Sequence, residues 1–208
     1  MSYRSFTAIL VWSVFVHLPK WVISSDGTSE HDVQRRIGLA CDGMKRLATI
    51  WKSKDLSTET KVLVYNYVVI GIFYLQLWNL DADRETKNIL RAFEMSCLQK
   101  ILGVLRISHI RSTDIKNQLN IQHDIVDRIR SRRLRYFGHV VRMQPSRWPH
   151  QALYGRVHGN RHRGRPRKRW TDNISDDCQM MGLSLTQATH KTEDRRQWRK
   201  YKRLSERA

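Results

Sequence analysis

Hydrophobic positions in the first half of the chain fall into three helical stripes. Val33, Ile37, Cys41, Met44, Leu47, Ala48 and Trp51 recur at steps of three and four. That spacing lines one face of an α-helix and predicts about five or six turns. Ser29-x-x-Asp32 reads as its capping box. Ser57 stands where it can cap a second helix, with Glu59 in the first turn. This helix, up to about residue 78, is apolar nearly all round, which predicts the central position. A third helix over 83–102 carries the stripe Leu90, Phe93, Cys97 and Ile101 and can end at Gly103. Short connections between the three predict a compact bundle over 29–103. Residues 1–25 are rich in Val, Ile, Phe and Trp without a helical stripe and read as strand, closed by the turn Ser24-Ser25-Asp26-Gly27.

Beyond residue 103 the pattern loosens. Residues 112–119 read as a short helix and 120–123 as a turn. Asp124 opens a helix over 124–143 whose Val126, Ile129, Phe137, Val140 and Val141 form an apolar side, expected to dock on the bundle. Pro145, Pro149, Gly155, Gly159, Gly164 and Pro166 mark a long irregular stretch. Trp170, Ile174, Cys178 and Met181 then predict a short helix ended by Gly182, and Ser184-x-x-Gln187 opens another. A last helix carries Arg195, Arg196, Arg199, Lys200, Lys202 and Arg203. The expected class is mainly α: a three-helix bundle, a short N-terminal strand region and an Arg-rich, partly irregular helical tail. The expected divisions are 1–28, the bundle 29–103, a basic helical linker 104–143 and a basic tail 144–208.

Charge sharpens this division. The chain carries a net +19; residues 1–103 hold 13 Lys/Arg and 10 Asp/Glu, whereas 104–208 hold 25 and 9. The first half has the balance of ordinary globular protein, and the second that of a segment bound to a polyanion. Three cysteines far apart in sequence suggest no disulfide framework and point to a reducing compartment, nuclear or cytoplasmic. The apolar run 62–78 is interrupted by Asn66 and Gln76 and is shorter than the ~20 residues a membrane span needs, so no membrane partner is expected.

Two basic elements are candidate nucleic-acid contacts. In 161–170, Arg161, Arg163, Arg165, Arg167, Lys168 and Arg169 crowd together and end in Trp170. No packed core holds that charge density, and the predominance of Arg favours forked contacts to phosphate or base edges. The core Arg163-Gly164-Arg165-Pro166 resembles an AT-hook, which would read the minor groove of A·T-rich DNA; a solvated loop serving nuclear import is the plainer alternative. The second element lies on the 124–143 helix, where Arg128, Arg132, Arg135, His139 and Arg142 project within about 40° of one line. It reads either as a phosphate-tracking ridge or as a solvated face, while Arg130 and Arg133 point toward the apolar side with no evident partner. Tyr136, Trp148, Tyr154 and Trp170 interleave with the cations, either as base-stacking platforms or as anchors of a small core.

Catalytic and metal chemistry find little support. Asp176-Asp177 superficially resembles a polymerase aspartate pair. Neighbouring helical residues diverge by about 100°, however, which suits a solvated helix face better than a metal clamp. His158-x-x-x-His162 has helical spacing among glycines and no accompanying thiol pair, which argues against zinc. No catalytic or metal-binding residue and no small-molecule substrate are expected.

Six motifs, taken in order, resemble the C-terminal part of non-long-terminal-repeat, LINE-like retrotransposon reverse transcriptases, the group often called endonuclease–reverse transcriptases. They are Ile23-Ser24-Ser25-Asp26-Gly27; Ile50-Trp51-Lys52-Ser53 through Tyr65-Asn66; Ala92-Phe93-Glu94-Met95-Ser96-Cys97-Leu98 with Lys100-Ile101-Leu102-Gly103; Arg133-Leu134-Arg135-Tyr136-Phe137-Gly138-His139-Val140-Val141-Arg142-Met143; Gly164-Arg165-Pro166-Arg167-Lys168-Arg169-Trp170; and Asp194-Arg195-Arg196-Gln197-Trp198-Arg199. The likeness runs from about residue 20 to the end. It implies a residual palm edge or an aberrant N-terminus in 1–28, a thumb in 29–103 and a basic region that holds RNA template, target DNA or their hybrid. The family is an RNA-directed DNA polymerase and endonuclease whose palm aspartates bind Mg²⁺. The resemblance assigns those aspartates, and the Mg²⁺, to a palm outside this chain and implies no activity for the chain alone. The pattern departs at Leu18-Pro19-Lys20-Trp21 and at Tyr74-Leu75-Gln76-Leu77-Trp78, where the family has a Tyr-Leu-Gly turn and a Gly-x-Glu segment. A stand-alone chromatin binder using 161–170, or a decayed transposon remnant without selected function, are the other readings of the same residues.

Overall fold

The computed structural model describes residues 30–74, 84–155 and 168–205. Ten α-helices lie among them and no strand does, so the protein is mainly α. The strand and turn expected before residue 29, the cap at Ser29 and the His158/His162 spacing lie outside the described residues. Two compact units divide between Val126 and Asp127.

In the first unit α1 (Glu30–Arg46), α3 (Thr58–Tyr74) and α4 (Arg84–Leu102) pack against one another. The single long helix expected over 33–51 is divided at Leu47 into α1 and the short α2 (Ala48–Lys52). There the Trp51 indole Nε1 donates to the Met44 carbonyl at 2.9 Å, and a side chain inserted into the backbone ladder is a recognised cause of a break. Ser57 caps α3 as its position predicts, its Oγ accepting from the Thr60 backbone N–H at 3.2 Å. Tyr65, Val69, Ile72 and Phe73 sink α3 into the core, but Leu63 and Tyr67 stand exposed on it. Its all-round apolarity therefore does not correspond to all-round burial. Side chains from other helices close the helix ends: Arg36 donates to the Ile72 carbonyl at 2.8 Å while paired with Asp32 at 2.7 Å, and Lys61 donates to the carbonyls of Trp51 and Ser53. Cations suit these C-terminal carbonyls.

Gly103 ends α4 with φ of 69°, and the Val104 N–H returns to the Gln99 carbonyl. This reversal requires a left-handed residue, which glycine adopts without a Cβ clash. Asn120 does the same after α5 (Ser112–Gln118), with φ of 52°. On α4, buried Glu94 accepts from the Ile125 N–H at 3.0 Å, and Arg91 donates to Asp124 at 2.8 Å. A carboxylate satisfying a helix's first N–H groups opposes the positive end of its dipole. Glu94 and Arg91 thereby hold the first turn of α6 (Ile125–Val141).

The second unit gathers most of α6 with α7 (Trp148–Tyr154), α8 (Trp170–Gln179), α9 (Leu185–Glu193) and α10 (Arg195–Ser205). Its core is Leu134, Phe137, Ile174, Cys178, Leu183, Ala188 and Trp198. This corrects the expected docking of Phe137 and Val141 on the N-terminal bundle: both pack with helices that follow α6, whereas Val126 belongs to the first unit. Gly182, with φ of 70°, reverses the chain after α8, and Ser184 with Gln187 forms the predicted capping box.

One contact sets the spacing of α10 on α6. Trp198 Nε1 donates to the Leu134 carbonyl at 3.0 Å. A Cβ at position 138 would lie 2.7 Å from the indole ring. Any side chain there pushes the indole off the helix backbone, so Gly138 and Trp198 form a matched pair.

Candidate nucleic-acid interface

The α6 helix has two chemically opposite sides. Ile129, Leu134, Phe137 and Val140 are buried, while Arg132, Arg135 and His139 are exposed and Arg128 is half-buried. The candidate ridge thus stands on the outer face of a helix whose inner face is committed to packing. Arg142, at its end, serves the fold as well: its Nη1 donates to the Thr192 carbonyl in the last turn of α9. Burial, followed by repulsion from nearby Arg195, lowers the Arg142 pKa. Arg195 on α10 therefore lies beside the end of the ridge. Arg195, Arg196, Arg199 and Lys200 on α10 are further exposed cations of the same unit.

The inward-pointing arginines find their partner on α8. Arg133 forms a forked pair with Asp177, Nε to Oδ2 at 2.6 Å and Nη2 to Oδ1 at 2.9 Å. Arg130 Nε stands 3.5 Å from the same carboxylate and its Nη1 is 3.3 Å from Asp127. Asp177 is only 4% exposed and Arg133 8%. The solvated-face expectation is therefore corrected for Asp177, which helps clamp α8 to α6, and it holds for its neighbour: Asp176 is exposed and pairs with Lys168 at 2.6 Å. The two carboxylates point apart, as their helical placement requires.

The four interleaved aromatics divide into two classes. Trp170 is half-buried, edge-on to Tyr136 at 5.9 Å between ring centroids, and 6.4 Å from Phe137. Tyr136 and Trp170 thus extend the core. Trp148 is 84% exposed and Tyr154 51%. At the start of α8, the Arg169 N–H donates to Asp172 at 2.7 Å, which leaves the exposed Arg169 side chain outside the cap. Arg161, Arg163, Arg165 and Arg167 lie outside the described residues.

Among the described residues no group of three His, Cys, Asp or Glu side chains is placed to hold a metal ion, and no helix is long and apolar enough to cross a membrane. Burial pushes the Cys97 and Cys178 thiols up to about 12, with the Asp177 carboxylate adding to the effect on Cys178. Both are packing residues rather than nucleophiles. No family model, curated protein or solved structure matches the chain.

Proposed function

We propose that the second unit is a nucleic-acid-binding module and that the chain is the thumb and basic region of a LINE-like retrotransposon reverse transcriptase. In that reading it holds RNA template, nicked target DNA or their hybrid, in the nucleus or the cytoplasm, beside an active site supplied by the palm. The observation that carries the binding proposal is the division of α6: apolar residues and Arg133 are committed inward, and a line of cations is left outward. Residues 127–208 hold 22 Lys/Arg against seven Asp/Glu, a net of +15. That excess of positive charge complements a phosphate backbone. The family reading is supported by six motifs in order. Three of them contribute Phe137 and Gly138, Trp170, and Trp198 to adjoining positions in one core, as motifs that specify one folding unit would.

The test is the salt dependence of binding by the full chain. Each phosphate contact contributes roughly 0.7 to 0.9 to the slope of log affinity against log salt. Arg132→Gln with Arg135→Gln should therefore flatten the slope by about 1.4 to 1.8. Arg142 is left intact because it also closes α9. An unchanged slope and affinity would reduce the ridge to a solvated face. Competition with structured RNA, A·T-rich duplex and G·C-rich duplex distinguishes backbone tracking from a minor-groove hook. A strong A·T preference abolished by Arg165→Ala would favour the hook.

A further inference from the structure

We propose that Trp148 is a stacking platform for an unpaired nucleobase at the end of the α6 ridge. This rests on the nucleic-acid reading above and narrows it to single-stranded or frayed substrates. Trp148 has the highest exposure of any large apolar side chain among the described residues. Its indole presents a flat apolar face to solvent, a surface on which a second planar ring can stack. It is not presented on a loose loop: Leu153, on the same short helix, packs against the second core. His150 and Tyr154 form a ring pair at 4.6 Å one turn further along.

Its surroundings select the occupant. Arg142 at the end of the ridge bonds Thr192 in the C-terminal turn of α9, and Leu153 of α7 packs against the same core that α9 joins through Ala188. Only the turn 144–147, closed by the Arg147 N–H on the Gln144 carbonyl at 3.0 Å, stands between the ridge and α7. Arg147, directly before Trp148, is exposed, as are Gln144, Ser146 and Gln151 around it. A hydrophobic partner protein would want a contiguous apolar patch. An exposed aromatic plane preceded by Arg147 and surrounded by polar side chains suits a base on the ring with its phosphate on the neighbouring arginine. Bases inside a duplex already have both faces stacked, so the platform takes one that is unpaired.

Binding of the full chain to single-stranded DNA and RNA oligonucleotides, and to a hairpin duplex closed by a tight loop, tests the proposal. Trp148→Ala should weaken single-strand binding roughly 5- to 150-fold, the range for one base–aromatic stack. Its salt slope should stay unchanged, since the indole touches no phosphate. Trp148→Tyr should retain most of the affinity, and hairpin binding should change by less than about twofold. An unaltered thermal melt of Trp148→Ala establishes that folding is intact, as expected for so exposed a ring. Steep salt-dependent binding by the parent chain with no loss in Trp148→Ala would overturn the stacking role and leave the ridge standing. Equal loss on the hairpin would overturn the preference for unpaired bases, and failure of the parent chain to bind any nucleic acid would remove both proposals.

Discussion

Replacing Asp177 by Asn should unfold the second unit far more readily than the same change at Asp176, one residue earlier. Asp177 is buried and carries both forks of Arg133, with Arg130 at 3.5 Å. The amide cannot neutralise either guanidinium, so the variant keeps a buried cation with a second one close by. Breaking a buried pair from one side costs about 3–5 kcal/mol. A unit of this size has a total stability of roughly 4–12 kcal/mol and loses about 4–8 °C of melting temperature per kcal/mol. The expected fall is therefore at least about 12 °C. Asp176→Asn, removing an exposed pair with Lys168, should cost at most about 1 kcal/mol. Hydrogen exchange read over residues 127–205 localises the effect to the second unit, and the double variant Arg133→Met/Asp177→Leu should recover most of the loss, because a packed apolar pair needs no charge compensation. Equal melting of the Asp176 and Asp177 variants, within about 1 kcal/mol, would refute the clamp.

Two further outcomes follow from the same core and from the buried thiols. Gly138→Ala should destabilise by about 1–3 kcal/mol through overpacking against Trp198, read by chemical denaturation; Trp198→Leu in the same chain should offset part of that cost. Cys97 and Cys178, with folded pKa values raised to about 12 from 9.0, stay protonated in the fold at pH values where the unfolded chain ionises. The stability that follows from this is present below pH 9.0 and is lost as pH rises toward 12, by about 1.4 kcal/mol per pH unit for each thiol. The parent chain should show this decline above pH 9, and Cys97→Ala with Cys178→Ala should remove that part of it; at pH 8 a thiol reagent should modify half-buried Cys41 first.

Most of the helices were written in the sequence; α7 was not, because Pro145, Pro149 and Gly155 read as an irregular stretch although Pro149 stands in its first turn, where proline is tolerated. Stripe spacing, Ser57, Ser184-x-x-Gln187, Gly103 and Gly182 each act within a few residues, so their effect can be read without knowing what lies across the core. The outward line of cations on α6 was legible for the same reason: a helix puts every third or fourth residue on one side whatever surrounds it. Which partner each inward residue meets was decided by the tertiary structure alone. Asp177 is 44 residues from Arg133, and Trp198 is 64 from the carbonyl it caps. Asp176 and Asp177 are alike in type and adjacent in chain, yet one faces water and the other neutralises a buried arginine, because about 100° of helical rotation separates them. The apolar face of α6 was evident in its spacing, but not that Phe137 and Val141 would pack with helices following it. Nor could local spacing divide the four aromatics into core rings and exposed ones. Burial depends on where distant segments pack, and periodicity along one helix carries no record of them.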